Sequence, residues 1–292
     1  MSLVRRGTDP AGKAMGERER GGKREKAAGS PEPAQGGELL YGVHPVREAL
    51  QASADRVEAL YLAHGRRGAV ICEILQRAAH QGIPVYWKER RELDHLTGVR
   101  THQGVVGRVK PRSGMSLEAL IRSAGPAPTT LLLVLDEIKD PRNFGSLLRS
   151  AEAFGVAGVI VPRHRAAKIT ATVAKAAAGA SEYIPVVEVV NISRTLLELK
   201  KKGFWVVGGV AKGGDPCYTH QFREATALVL GEEGRGLRPL VQRQCDFLVT
   251  IPLSGRIKAL NVAVAGGILL YEIRRQQGCR EEEHRGGMGR EK

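Results

Sequence analysis

Aromatic residues make up only 4% of this 292-residue chain, and cysteines number four. The first shortage disfavours a single-strand nucleic-acid binder built mainly on stacked bases, which needs aromatic faces in quantity. Cys72, Cys217, Cys245 and Cys279 stand far apart, with no CxxC pair and no histidine cluster at metal-ligand spacing. Neither a disulfide framework nor a metal site is expected. No apolar run reaches the roughly 18 residues of a membrane span. The amino terminus also lacks the apolar core of a secretory signal, so the expected location is the cytoplasm.

Positive charge is abundant. Forty-five Lys and Arg against 31 Asp and Glu give a formal net charge of +14, and the cations are spread along the whole chain. A polyanionic partner is the reading that uses this excess; solubility alone is the plainer one.

Composition divides the chain. Residues 1–38 hold many cations among Gly, Ala, Pro and Glu and almost no large apolar residue, which predicts a disordered basic arm. Residues 39–110 read as a small α+β domain: a short helix in YGVHPVREAL, a strand in RVEALYLA, a helix in AVICEILQRAAHQG, and strands in IPVYW and HQGVVGRV. Residues 111–129, punctuated by Pro and Gly, read as a linker with one short helix. Over residues 130–276 apolar strands (LLLVLDEI, GVIVP, IPVVEVV, FWVVGGVA, TALVLG, FLVTIPL) alternate with helices, the pattern of a mostly parallel sheet covered on both faces. Residues 277–292 read as a second disordered tail.

In open α/β sheets ligands sit beyond the carboxyl ends of the strands. Three such loops carry unusual residues. In DPRNFGSLLRSAEAFG, Asn143 stands where a helix N-cap belongs, and Arg142, Ser146 and Arg149 at i, i+4 and i+7 put two guanidiniums on one helix face, a phosphate grip. The turn GEEGRG at 231–236 is no dinucleotide fingerprint, because its spacing is wrong and Glu232 and Glu233 would repel a pyrophosphate. It points to a ligand without phosphates. In IPLSGRIKALNVAVAGGILLYE, Asn261 lies just inside a helix whose Ala263, Gly266 and Gly267 imply close packing, since helix-interior Gly costs about 1 kcal/mol relative to Ala. Each feature has an ordinary structural reading as well: a helix start, an exposed acidic turn, tight helix-to-sheet contact.

Together, DPRNFGSLLRSAEAFGV, LVLGEEGRGL and IPLSGRIKALNVAVAGGILLYE, in this order and spacing, resemble the three motifs of the SpoU (TrmH/RlmB) branch of the SPOUT RNA 2′-O-methyltransferases. YGVHPVREAL through HQGVVGRV resembles that family's ribosomal-protein-like RNA-binding front domain. The resemblance implies a trefoil-knotted α/β catalytic domain that dimerises, binds S-adenosylmethionine and methylates a ribose 2′-OH. Its RlmB-type members act on a guanosine in the peptidyl-transferase loop of 23S rRNA. Position by position, it implies cofactor contacts at Gly231, Ile251, Leu253 and Leu260, and a reactive centre of Asn143, Arg149, Glu233 and Asn261. Arg142 and Arg149 would meet RNA. An Arg stays protonated well above pH 12, so Arg149 suits holding phosphate or stabilising a developing alkoxide better than removing a proton.

One departure stands out. The family's SLNVSVA reads ALNVAVA here, so Ala259 and Ala263 replace two hydroxyls. Two alternatives therefore stay open: methylation of tRNA, and a catalytically inactive ribosome-assembly factor.

Overall fold

The computed structural model describes residues 37–112, 114–222 and 224–287, with side chains as far as residue 278. The basic arm expected over 1–38 lies outside the described residues up to residue 36. The front part contains β1 (Glu38–Tyr41), α1 (Val43–Ala52), β2 (Val57–Ala63), α2 (Ala69–His80), β3 (Val85–Lys88), α3 (Arg90–Thr97) and β4 (Val105–Val109). Its four strands pair in the order β1-β4-β2-β3, with only β2 and β3 parallel. Alternation along β2 sends Leu60 and Leu62 to the side of α1 and α2, and Ala59 and Tyr61 to the side of α3.

The remainder runs α4 (Leu117–Ala124), β5 (Leu131–Asp136), α5 (Pro141–Ala153), β6 (Gly158–Pro162), α6 (Ala171–Ala176), β7 (Val186–Val189), α7 (Ile192–Lys201), β8 (Trp205–Gly209), β9 (Asp215–Pro216), β10 (Thr226–Gly231), α8 (Pro239–Gln242), β11 (Phe247–Thr250) and α9 (Val262–Gly287). The seven strands lie in the order β7-β6-β5-β10-β8-β11-β9, every pairing parallel. The parallel, two-sided sheet expected from the apolar strands is thus observed. Leu131, Leu133 and Leu135 of β5 join Leu228 and Leu230 of β10 under α5, α6 and α9, while Leu132, Val134, Ala227 and Val229 face α4 and α7. Burial on both faces explains why β5 and β10 read as unbroken apolar runs rather than as alternation.

Three sequence expectations change. The helix in the 111–129 segment is no loose connector: Leu120 of α4 is fully buried, and a Cβ on Gly158 would lie 2.4 Å from it. The tail expected from residue 277 is helical to Gly287, as the continuation of α9. The stretch GLRPLVQRQC reads as helical from its sequence, but only the four-residue α8 forms there.

The front part docks on α6 and the short turn after it. Tyr41 Oη and Thr172 Oγ1 are 3.1 Å apart, Lys175 Nζ donates to Thr101 O at 2.6 Å, and Tyr183 Oη donates to Glu48 Oε2 at 2.6 Å. Arg56 and Arg112 converge on Glu182 Oε2 at 3.0 and 2.8 Å. Burial and the Glu48 carboxylate push the Tyr183 hydroxyl up to about 12, so it remains a donor at any ordinary pH.

Candidate active site

The carboxyl ends of β5, β10 and β11 open at one edge of the sheet. Helix α5 begins there with Asp140 as its cap, whose carboxylate accepts from Arg142 N at 2.8 Å, and with Pro141 in the first turn. Asn143 is therefore three residues inside the cap, not the cap expected from sequence. Asp140 already serves the backbone, which leaves the Asn143 amide for tertiary contacts.

Asn261, expected just inside α9, instead caps it: its Oδ1 accepts from Ala263 N at 3.0 Å and Val264 N at 3.4 Å. That bond fixes which way the amide points, so Asn261 Nδ2 faces away from the helix. It donates to Glu233 Oε2 at 2.9 Å and to Asn143 Oδ1 at 3.0 Å. Asn143 Nδ2 then donates to the same Glu233 oxygen at 2.7 Å. The backbone of α9 thus sets a chain of donors that ends on one carboxylate. Three of the four residues expected at the reactive centre meet here. Arg149 does not join them; it is exposed about 9 Å further along α5, with no hydrogen bond or ion pair among the described residues. Arg142, Ser146 and Arg149 are all exposed, as a shared outward face requires.

The loop that carries Glu233 is closed on itself. Gly236 N donates to Glu232 O at 2.8 Å, and a Cβ on Gly231 would fall 2.2 Å from Gly236 backbone atoms, so only glycine fits at 231. Its exit is held by a pair that sequence reasoning missed. Asp136, at the end of β5 with its side chain fully buried, accepts from Arg238 N at 3.0 Å and Nε at 2.8 Å, and lies 2.6 Å from Nη2. Glu137 takes Nη1 at 3.0 Å. The hydrogen bond to Asp136 holds the Arg238 guanidinium above its usual range, although burial works the other way. The available signal was a carboxylate closing an otherwise apolar strand. On the outer side Lys139 donates to Glu232 at 2.9 Å, which keeps that carboxyl below its usual range.

Close approach beneath the site is as the small residues implied. A Cβ on Gly266 would meet Leu147 at 2.4 Å and Leu230 at 2.8 Å, so α9 lies almost against α5 and β10; Gly267 has ordinary room. Of the residues expected to meet the cofactor, Gly231 ends β10, Ile251 packs partly against the core just after β11, Leu253 is 39% exposed, and Leu260 is half-buried next to Asn261. Apolar side chains beside backbone suit an adenine ring, and the Glu233 carboxylate suits a neighbouring cation such as a sulfonium. The donor set therefore fits S-adenosylmethionine.

Residues 130–271 match the SpoU rRNA Methylase family, and residues 39–115 match an RNA 2′-O ribose methyltransferase substrate-binding family. The chain is 44% identical over 245 residues to the 23S rRNA (guanosine-2′-O-)-methyltransferase RlmB of Pseudomonas aeruginosa, covering 82% of this chain and 97% of that protein. The chain belongs to the SpoU rRNA methylase family. It is also 36% identical to the RlmB of Escherichia coli, over 82% of this chain and 99% of that one. Among solved SpoU methyltransferases, AviRb from Streptomyces viridochromogenes in complex with AdoMet shares the fold, with a TM-score of 0.68 and 24% identity over 82% of this chain and 90% of that one.

Proposed function

We propose that this SpoU protein transfers a methyl group from S-adenosylmethionine to the ribose 2′-OH of a guanosine in 23S rRNA. The observation that carries the reading is the Glu233 carboxylate receiving amides from Asn143 and Asn261, which joins three motifs encoded 28 to 118 residues apart at one point. The RlmB relatives align over 82% of the chain, front domain included, and so support rRNA over tRNA.

Bound S-adenosylmethionine supplies a methyl group already activated by its sulfonium, so the protein's task is orientation and charge placement. Gly231, Ile251, Leu253 and Leu260 line the side expected to take the adenosyl part. Asn143, Glu233 and Asn261 form a fixed polar floor. Arg149, exposed and unpaired among the described residues, stabilises negative charge on the attacking ribose oxygen or grips its phosphate, with Arg142 on the same helix face. No metal takes part in this scheme.

A trefoil knot, a cytoplasmic location and a homodimer complete the proposal. The dimer is supported by Val264, Ile268 and Tyr271, which leave an apolar stripe on α9 exposed at 52, 39 and 55%. The reading as an inactive assembly factor has Ala259 in its favour. Transfer of labelled methyl to protein-free 23S rRNA and to bulk tRNA separates the readings. Label in rRNA supports the proposal, label in tRNA changes the substrate, and binding of both cofactor and rRNA without transfer favours the inactive factor.

A further inference from the structure

Cations that the reaction centre does not use gather on one loop. Residues 163–168 leave the carboxyl end of β6, the strand beside β5, and Arg163, His164, Arg165 and Lys168 are all exposed. The backbone of this loop is anchored. Arg163 N donates to Val189 O and Ala167 N donates to Ile138 O, each at 2.8 Å, while Ala167 and Ile169 pack on the core. The second bond sets the loop against residues 138–140, which lead directly into Arg142. Arg165 holds φ at 64°, a conformation that non-glycine residues seldom take. The acid facing it is Glu137, 3.9 Å from Arg165 but nearer to Arg238, at 3.0 Å. Arg163 and Lys168 have no ion pair among the described residues. Arg163 and Lys168 also line the large cleft between the front part and the sheet, whose other charged residues are five Glu and three Arg.

Exposed cations on an anchored loop bind a polyanion with little further loss of conformational freedom, and each phosphate neutralised releases counterions. We propose that loop 163–168, continued by Arg142, is a phosphate-binding rim that holds the RNA backbone beside the target ribose. This rests on the RNA methyltransferase reading above and adds the surface by which the substrate is held.

The test compares two double variants of the full chain that lose the same charge. Arg163→Ala/Lys168→Ala alters the rim. Lys201→Ala/Lys202→Ala alters exposed residues at the end of α7, on the amino edge of the sheet. Binding to protein-free 23S rRNA is measured across salt concentrations, together with S-adenosylmethionine affinity. The rim variant should bind RNA about 10-fold more weakly, with the slope of log K against log salt reduced by roughly 1.4 to 1.8, at about 0.7 to 0.9 per phosphate contact. Its cofactor affinity should not change, and the control should stay within about 3-fold of wild type. Equal weakening by both variants, or an unchanged slope in the rim variant, overturns the rim. Binding needs no turnover, so failure of the methyltransferase reading shows separately, as a wild-type protein that binds RNA and transfers nothing.

Discussion

Replacing Asn261 by Asp separates turnover from folding. The side chain keeps its shape and its Oδ1, which caps α9 by accepting from Ala263 N and Val264 N. Asp caps a helix about as well as Asn, and its charge at a helix N-terminus is favourable by about 0.3–1 kcal/mol. The other half of the group changes from donor to acceptor. An oxygen would then lie 2.9 Å from the Glu233 carboxylate and 3.0 Å from Asn143 Oδ1. Two unit charges at that separation repel by about 1.4 kcal/mol in a water-like medium and about 6 kcal/mol at an effective dielectric constant near 20; exposure of the cluster favours the lower value. A charge-assisted hydrogen bond of about 1.5–3 kcal/mol and a neutral one of about 0.5–1.5 kcal/mol are lost as well. Even the lower ends together come to about 3 kcal/mol, enough to drive the cluster apart and to slow turnover about 100-fold. Initial rates with labelled cofactor and urea unfolding should give the two results side by side: turnover about two orders of magnitude down, and a single cooperative unfolding transition whose midpoint falls only modestly, because the retained cap and the charge at the helix N-terminus offset part of the lost contacts. Turnover within 3-fold of wild type would show that the cluster plays no part in the reaction.

Other outcomes follow from the same contacts. Arg149→Ala should reduce turnover at least 100-fold while cofactor affinity, read by calorimetry, stays within 2-fold, because the side chain has no structural partner among the described residues. Asp136→Asn should lower stability by about 2 kcal/mol in chemical denaturation, since it weakens a carboxylate that is fully buried and bound to Arg238, a partner still 43% exposed. Gly231→Ala should abolish cofactor binding in calorimetry, because its Cβ has no room against Gly236. Burial raises the Glu48 carboxyl, but hydrogen bonds from Tyr183 and Arg47 outweigh it and hold the group below 4.5. Its contribution to docking is therefore present above that pH and fades as pH falls through the lower folded value; limited proteolysis of the front part should accelerate there, and Tyr183→Phe should remove part of the effect.

The elements legible in the sequence are those whose burial is written into single residues. β5 and β10 could be read because both faces are covered and nearly every position is apolar, Asp136 and Thr226 excepted, and α5 as a helix, although Asp140 rather than Asn143 caps it. β1 and β9 have four and two residues, too short for a period to show, and α3, RRELDHLT, buries only Leu93. The site divides in the same way. Asn143, Glu233 and Asn261 stand out through motif order, yet their direction comes from tertiary contacts: Asp140 takes the capping role that frees Asn143, and the N-terminus of α9 orients Asn261. Asp136 and Arg238 lie 102 residues apart, and nothing local marks either as a partner of the other.

The most direct measurement maps the methyl group on 23S rRNA after reaction with the purified chain. A methyl on a ribose 2′-oxygen removes the internal nucleophile and makes the next phosphodiester resistant to alkali. The expected result is one such stop, at a guanosine, that disappears with Asn261→Asp and Arg149→Ala. Label on a base, or on many riboses without preference, would contradict the assignment of this site to guanosine 2′-O-methylation.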